Sequence, residues 1–557
     1  MIRLLITLLT LISVSFCHSQ SLNIQVDLSQ PIGDMDPVYT WFGHDEPNYT
    51  YMPDGQKLLT ELSELSPVPV FVRTHNLLTT GDGEAALKWG STNAYTEDAD
   101  GNPIYDWTII DSIFDTYMAR GMKPLVEIGF MPEALSSKPD PYRHGWTPGN
   151  AYENIFTGWA YPPNDYDKFA ELVYQWVSHS VERYGKEEVE TWYWELWNEP
   201  NIGYWQGTLD EYIKLYDYTA DAVKRALPTA IMGGPHTTGP SWDVAEKYLR
   251  AFLEHCISGT NYKTGETGAP LDFIAFHAKG RPEFLEDHVQ MNMGAQLRDI
   301  SKGFEIVASY PEAKDLPIII GESDPEGCAA CSEDIYPQNS YRNGTMYSSY
   351  TAASFPRKMQ LADHFGVNFL GAVTWAFEFE NQPWYHGFRD LATNGVDKPV
   401  LNVFRMMGMM QGQRAKVSGD LSYDAFRIRD SSVRGAQADI NAMATIDEHQ
   451  AAVLLWHYHD DDLPGEAAHI QLSIDGLPAG KAMLHHYRID DTHSNSYAAW
   501  LTMGSPENPT AAQIAELEAA GQLSLYTSPQ WVHTAGGSLE MSVELPRQGV
   551  SLLVMEW

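Results

Sequence analysis

From about residue 35 to about residue 410 the chain repeats one rhythm, a short apolar, β-branched or aromatic run followed by a longer amphipathic stretch. Short apolar runs bounded by turn signals are strand-like, and apolar residues recurring every three to four positions are helix-like, so the alternation predicts repeated βα units. Strands are predicted over 68–74, 123–128, 190–196, 230–233, 273–276, 318–320 and 369–375, with helices such as 109–120 and 166–184 between them. This is the pattern of an α/β fold, a (β/α)8 TIM barrel over 35–411. In that fold functional side chains gather at the C-terminal ends of the strands.

Past about Gly412 the pattern changes to short alternating strands separated by turn residues, among them 452–458, 469–474 and 550–556. This predicts an accessory β-sandwich over 412–557, interrupted by a helix at 511–520. Residues 22–28 alternate in the same way, so 21–34 is expected to add a strand to that sandwich rather than to the barrel. A chain of 557 residues is long enough for two such cores.

Met1-Ile2-Arg3 and the apolar run 4–16 have the single positive charge and short apolar core of a secretory signal peptide, assigned to 1–20. The run is too short to span a membrane, and no later stretch approaches that length. The expected location is therefore secreted or periplasmic. Lipid anchoring at Cys17 is the weaker alternative, because Phe16 is bulky where such signals carry a small residue. Removal of the leader leaves Cys256, Cys328 and Cys331, an odd number. Cys328-Ala-Ala-Cys331 lacks the second pair a zinc site requires, which leaves a local disulfide or buried thiols in an exported protein. The 74 acidic side chains against 36 Lys plus Arg give a net charge of −38. Nucleic acid is excluded as a partner, since phosphate binding needs a basic footprint.

The strongest chemical motif is Trp192-Tyr193-Trp194-Glu195-Leu196-Trp197-Asn198-Glu199-Pro200. An aromatic strand ending in Asn-Glu-Pro puts a carboxyl group at the barrel mouth, where it can protonate a departing sugar oxygen. Asn198 is suited to holding the sugar 2-hydroxyl. The competing reading is an Asn-Glu pair that merely caps the next helix. A second carboxylate follows another apolar strand in Ile318-Ile319-Ile320-Gly321-Glu322-Ser323-Asp324, about three strands further round the barrel. Two carboxyl groups facing each other at about 5 to 5.5 Å suit a retaining glycosidase, with Glu199 as acid/base and Glu322 as nucleophile. Asp324 is a rival nucleophile, better suited to a substrate or supporting contact.

With these motifs the chain resembles glycoside hydrolase family 39, the family of β-xylosidases and α-L-iduronidases. The resemblance runs through both predicted domains, in Val72-Arg73-Thr74-His75, Pro124-Leu125-Val126-Glu127-Ile128-Gly129-Phe130-Met131-Pro132-Glu133-Ala134-Leu135, Asn394-Gly395-Val396-Asp397-Lys398-Pro399 and Ile489-Asp490-Asp491-Thr492-His493-Ser494-Asn495. It implies the same roles for Glu199 and Glu322, and an exo-acting, cofactor-free retaining enzyme acting on plant or algal oligosaccharide or polysaccharide fragments. Within the family the third-strand motif and the sandwich motif look like those of the bacterial β-xylosidases, whereas His277-Ala278-Lys279-Gly280 and Glu322-Ser323-Asp324-Pro325 resemble the iduronidases, and Arg389 stands where the xylosidases usually carry an uncharged residue. The resemblance implies that Lys279 and Arg389 hold a sugar carboxylate. The alternative is that both pair with Glu322, Asp324 or Glu378 and touch no substrate. A β-D-xyloside and an α-L-iduronide share the arrangement at the anomeric centre and differ mainly at C5, so one catalytic pair serves both.

The remaining candidate substrate contacts are His75 and His277 at strand ends, Trp375 as an apolar platform, His44 at the barrel entrance, and the loop Trp384-Tyr385-His386. A non-catalytic carbohydrate-binding protein on the same fold is the alternative function. A metallohydrolase is disfavoured because no compact ligand spacing such as HExxH occurs. The sequence leaves oligomeric state open.

Overall fold

The computed structural model describes residues 21–87, 90–138 and 158–557. The leader assigned to 1–20, including Cys17, lies outside the described residues. Eight parallel strands close into a barrel: β1 (Trp41–His44), β2 (Phe71–Thr74), β3 (Lys123–Ile128), β4 (Tyr193–Leu196), β5 (Ile231–Thr237), β6 (Phe273–Lys279), β7 (Ile318–Asp324) and β8. The last is split into Phe369–Ala372, which follows β7, and Thr374–Trp375, which pairs with β1 and closes the ring. The chain is therefore an α/β protein with a TIM-type barrel.

The predicted strands lie where the apolar runs placed them, with instructive differences at their ends. Strand β2 starts at Phe71 rather than 68, and β4 starts at Tyr193 because Lys186–Val189 is a short helix. Strands β5, β6 and β7 run further than their apolar runs, through His236-Thr237, His277-Ala278-Lys279 and Glu322-Ser323-Asp324. These polar strand ends line the mouth. Between strands, the helices start on local signals, such as the capping box of Thr208 and Glu211 on Leu209–Ala226.

A second nine-stranded sheet wraps around its own apolar core of Ile24, Val26, Val453, Ile470, Leu472 and Leu553. The N-terminal strand Leu22–Asp34 lies in this sheet, antiparallel to β9 (Gln413–Gly419) and parallel to the strand Ala468–Asp475. The two bodies are joined by charge as well as by apolar contact. On helix Thr345–Phe365, buried Arg357 donates to Asp439 at 2.6 Å and stacks over Trp456, whose indole donates to the same carboxylate at 2.9 Å. Two of the motifs singled out in the sequence meet at this seam. Ser496, next to the 489–495 motif, donates to the Asp397 carbonyl at 2.5 Å, and Asn495 caps the helix Ser496–Thr502. Their place is architectural. Among the described residues no helix is long and apolar enough to cross a membrane.

Candidate active site

Glu199 reaches the mouth because the chain turns sharply as β4 ends. Trp197 and Glu199 both take left-handed backbone conformations, φ 70° and 44°, which non-glycine residues rarely adopt. The turn is held by Trp197 N–H on the Ile128 carbonyl (3.2 Å), its indole on the Tyr204 carbonyl (2.8 Å) and Glu199 N–H on the His236 carbonyl (3.0 Å). Backbone strain of this kind persists where surrounding bonds over-determine it, and here it aims one carboxyl group.

Glu322 arrives from the far side on β7, whose register sets it beside His277 of β6 and sets Asp324 beside Lys279. One side-chain atom each from Glu199, His277 and Glu322 lie within 4.8 Å of one another. His277 Nδ1 is 2.9 Å from Glu199 Oε1 and 3.5 Å from Glu322 Oε1. Lys279 Nζ lies between the carboxylates, 3.1 Å from Glu199 Oε1 and 2.6 Å from Glu322 Oε2. The same three side chains have the spacing of a metal site, but an ion there would have to displace this ammonium.

Beneath the pair lies a fully buried ionic floor. Arg73 on β2 donates to Glu195 (2.5 Å), Glu127 (3.1 Å) and Asn198 Oδ1 (3.2 Å), and its remaining arm is 3.5 Å from Glu322. His75 bridges Asp45 (2.7 Å) and Glu127 (2.8 Å). His236 contacts Glu195 on one side and lies 3.4 Å from His277 Nε2 on the other. Asn198 is thus tied to the floor through Arg73.

Charge decides the protonation states. Burial pushes Glu322 towards neutrality, but Lys279, His277, His75 and Arg73 outweigh it and hold the carboxyl well below its ordinary range. Glu199 is held down in the same way, with burial and Glu322 opposed by Lys279 and the His277 hydrogen bond. Burial also lowers His277. For His75 burial is overcome by Glu127 and Asp45, and the imidazole rises to about 9.

The other candidates divide. Lys279 keeps its side chain 24% exposed. Arg389 is fully buried, donating to the Trp375 carbonyl (2.9 Å), the Gly327 carbonyl (3.0 Å), Asp324 (3.3 Å) and Glu326. Asp324 also accepts Trp375 N–H at 2.9 Å, and burial, opposed by Arg389, raises it to about 6. Trp375 packs against His75 (centroids 4.2 Å) and beneath Arg73 (5.1 Å) and is 2% exposed, so its ring is laid against protein rather than left open. Gly43 allows this, since a Cβ there would sit 2.4 Å from the Trp375 ring. His44 stacks on Phe377 at 4.0 Å and faces Thr50 at 3.1 Å. In the 384–386 loop, Tyr385 is buried against Tyr497 and Trp500 of the second body, and His386 lies 3.3 Å from Asp334. Cys328 and Cys331 form a disulfide, with Arg342 donating to both of their carbonyls, and Cys256 is a buried free thiol.

Asp45, Glu127, Glu195 and His236 were not singled out in the sequence. The signal for two of them was a glutamate within an otherwise apolar strand, in Leu125-Val126-Glu127-Ile128 and Trp194-Glu195-Leu196. An ionised residue in a strand buried on both faces requires a buried partner.

The family profile described as "Glycosyl hydrolases family 39" matches residues 71–534. The chain belongs to glycosyl hydrolase family 39. A β-xylosidase of Geobacillus stearothermophilus is 25% identical over 468 residues, 82% of each chain. An α-L-iduronidase of Mus musculus is 24% identical over 447 residues, 74% of this chain and 62% of that one. A crystal structure of a family 39 enzyme from Xanthomonas axonopodis pv. citri superposes with a TM-score of 0.73 at 23% identity, covering 98% of this chain and 99% of that one. The family assignment makes this chain a glycoside hydrolase by relationship, with relatives of both substrate types.

Proposed function

We propose that this family 39 protein is an exported, exo-acting retaining glycosidase that removes a terminal β-D-xylosyl residue or its stereochemical equivalent, the α-L-iduronosyl residue. The observation that carries the reading is the pair of carboxylates at the ends of β4 and β7, each with an atom within 4.8 Å of the other. That separation suits double displacement and leaves too little room for the water an inverting enzyme places between its carboxyls. Glu199 protonates the glycosidic oxygen as the C–O bond breaks, and Glu322 attacks the anomeric carbon to form a glycosyl ester. Glu199, now a carboxylate, takes a proton from water, whose oxygen attacks the same carbon and releases Glu322.

The double contact of Lys279 bears on substrate choice. While its ammonium pairs with Glu199, that carboxyl resists the proton it must donate. A carboxylate at C5 of the bound sugar offers Lys279 another partner, so an anionic sugar both binds Lys279 and frees Glu199 to protonate. Arg389, with its donors directed to protein acceptors, acts on this reading through Asp324 and the Trp375 backbone. A neutral xylosyl substrate is the second reading, favoured because Arg389 is fully buried with its donors on protein acceptors, which leaves Lys279, itself paired with both carboxylates, as the one of these two cations with an exposed side chain. Hydrolysis of paired aryl β-D-xyloside and α-L-iduronide substrates decides between them. Preference for the iduronide supports the anionic reading, preference for the xyloside supports the neutral one, and turnover of neither by folded protein contradicts both.

A further inference from the structure

The arginines Arg73, Arg342 and Arg389 around the mouth are buried and spend their donors on protein acceptors. Arg281 differs. It is exposed, two residues beyond Lys279 on the loop after β6, and its guanidinium lies over the ring of Trp242 at 4.8 Å. Among the described residues no carboxylate pairs with it within 4.0 Å, and its charge is felt at longer range by buried Asp299. An aromatic face orients a guanidinium without consuming its five N–H donors, which remain for a ligand. Trp242 is itself 48% exposed, and Phe284 on the β6 loop is 45% exposed.

The loops carrying this pair are tied to the reaction centre. Asn201, two residues after Glu199, accepts Thr238 N–H at 2.9 Å and donates to Thr238 Oγ1 at 2.7 Å. Buried Asp299 accepts Ser241 N–H at 3.2 Å, and a Cβ on Gly239 would lie 2.2 Å from that carboxyl group. Gly280 N–H donates to the Asp324 carbonyl at 2.9 Å. On the reading above, Glu322 of β7 attacks the terminal sugar and Glu199 at the end of β4 protonates the leaving group. β5 and β6 follow β4 in the ring on the way to β7, so their loops border the acid and the leaving group it protonates.

We propose that Trp242 and Arg281 form the leaving-group subsite and select a pyranose bearing a carboxylate or sulfate. The indole supplies apolar surface to the sugar C–H groups, and the guanidinium supplies paired N–H donors to the anion.

This inference rests on the glycosidase reading, and two measurements keep the two apart. Disaccharides with one terminal sugar and either a neutral, a uronic acid or a 6-sulfated leaving sugar give kcat/KM ratios for wild type, Arg281→Gln, Arg281→Lys and Trp242→Ala. Arg281→Gln is expected to lower the acidic-to-neutral ratio about tenfold, the effect of losing one charge-assisted contact, with partial recovery in Arg281→Lys. The arm that falls furthest, uronate or sulfate, names the anion. Equal ratios in all four proteins overturn the proposal. Independently of turnover, saturation-transfer NMR with methyl β-D-glucuronide and galactose 6-sulfate is recorded on Lys279→Met protein, which lacks the cation at the catalytic pair. Transfer that disappears in the Trp242→Ala double variant supports the subsite, and transfer to neither sugar, or transfer that persists, overturns it. Failure of wild type on aryl glycosides would instead overturn the glycosidase reading.

Discussion

Lys279 Nζ stands 3.1 Å from Glu199 and 2.6 Å from Glu322, a single ammonium shared by two carboxylates on opposite strands. It lowers both groups, and the two need opposite states, Glu322 ionised and Glu199 protonated. The pH dependence of kcat/KM reports the free protein, with the acid limb set by Glu322 and the alkaline limb by Glu199. Removing a neighbouring positive charge raises a carboxyl pKa. The alkaline limb of Lys279→Met is therefore expected to move to higher pH on a neutral aryl xyloside, as measured by initial rates across the pH range. An unmoved alkaline limb would remove Lys279 from the protonation of Glu199.

Arg389 is expected to behave differently from Lys279. Arg389→Met leaves buried Asp324 without its ion-pair partner, while Glu326 keeps Arg342, and breaking a buried pair from one side costs about 3 to 5 kcal/mol. A lower midpoint in thermal or denaturant unfolding is expected, with activity on neutral and anionic substrates falling by similar factors. A loss confined to the anionic substrate, with stability intact, would place Arg389 in direct contact with the sugar.

Most of the barrel and both carboxylates were legible because they combine two strong local signals, an apolar run and a polar break at its end. Strand β1 was not, since Trp41-Phe42-Gly43-His44 is four residues long and has no alternation. The extra length of β5 and β6 was hidden for the opposite reason, because His236, His277 and Lys279 look like loop residues until their ionic partners are known. Sequence patterns show what a residue avoids, namely water or an apolar core. They do not show which distant charge satisfies it, so Arg73 with Glu127 and Glu195 became visible only in three dimensions. Arg281 and Trp242 left no motif, being 39 positions apart in the chain.

His75 gives a stability test. Its folded pKa, about 9, exceeds the unfolded value of about 6.5. A group raised on folding contributes stability that is fully present below the unfolded pKa and lost as pH rises through the folded one. Wild type is therefore expected to lose stability between about pH 6.5 and 9 relative to His75→Gln, read as the difference in urea midpoints at each pH. A difference that does not change with pH would mean that His75 is neutral in the fold.

The two carboxylates should separate in kinetics. Glu322→Ala is expected to abolish turnover of every leaving group. Glu199→Ala should cost about 10² to 10⁴-fold on poor leaving groups and distinctly less on an activated aryl glycoside, which needs little protonation. Equal losses across leaving groups in Glu199→Ala would contradict its role as the acid.

The central claim, double displacement by carboxylates that lie close together, is tested most directly by NMR observation of the first-formed sugar during hydrolysis of an aryl glycoside, before mutarotation. The account predicts that the anomer released first has the configuration of the substrate. Release of the opposite anomer would show a single displacement by water and contradict the assignment of Glu322 as nucleophile.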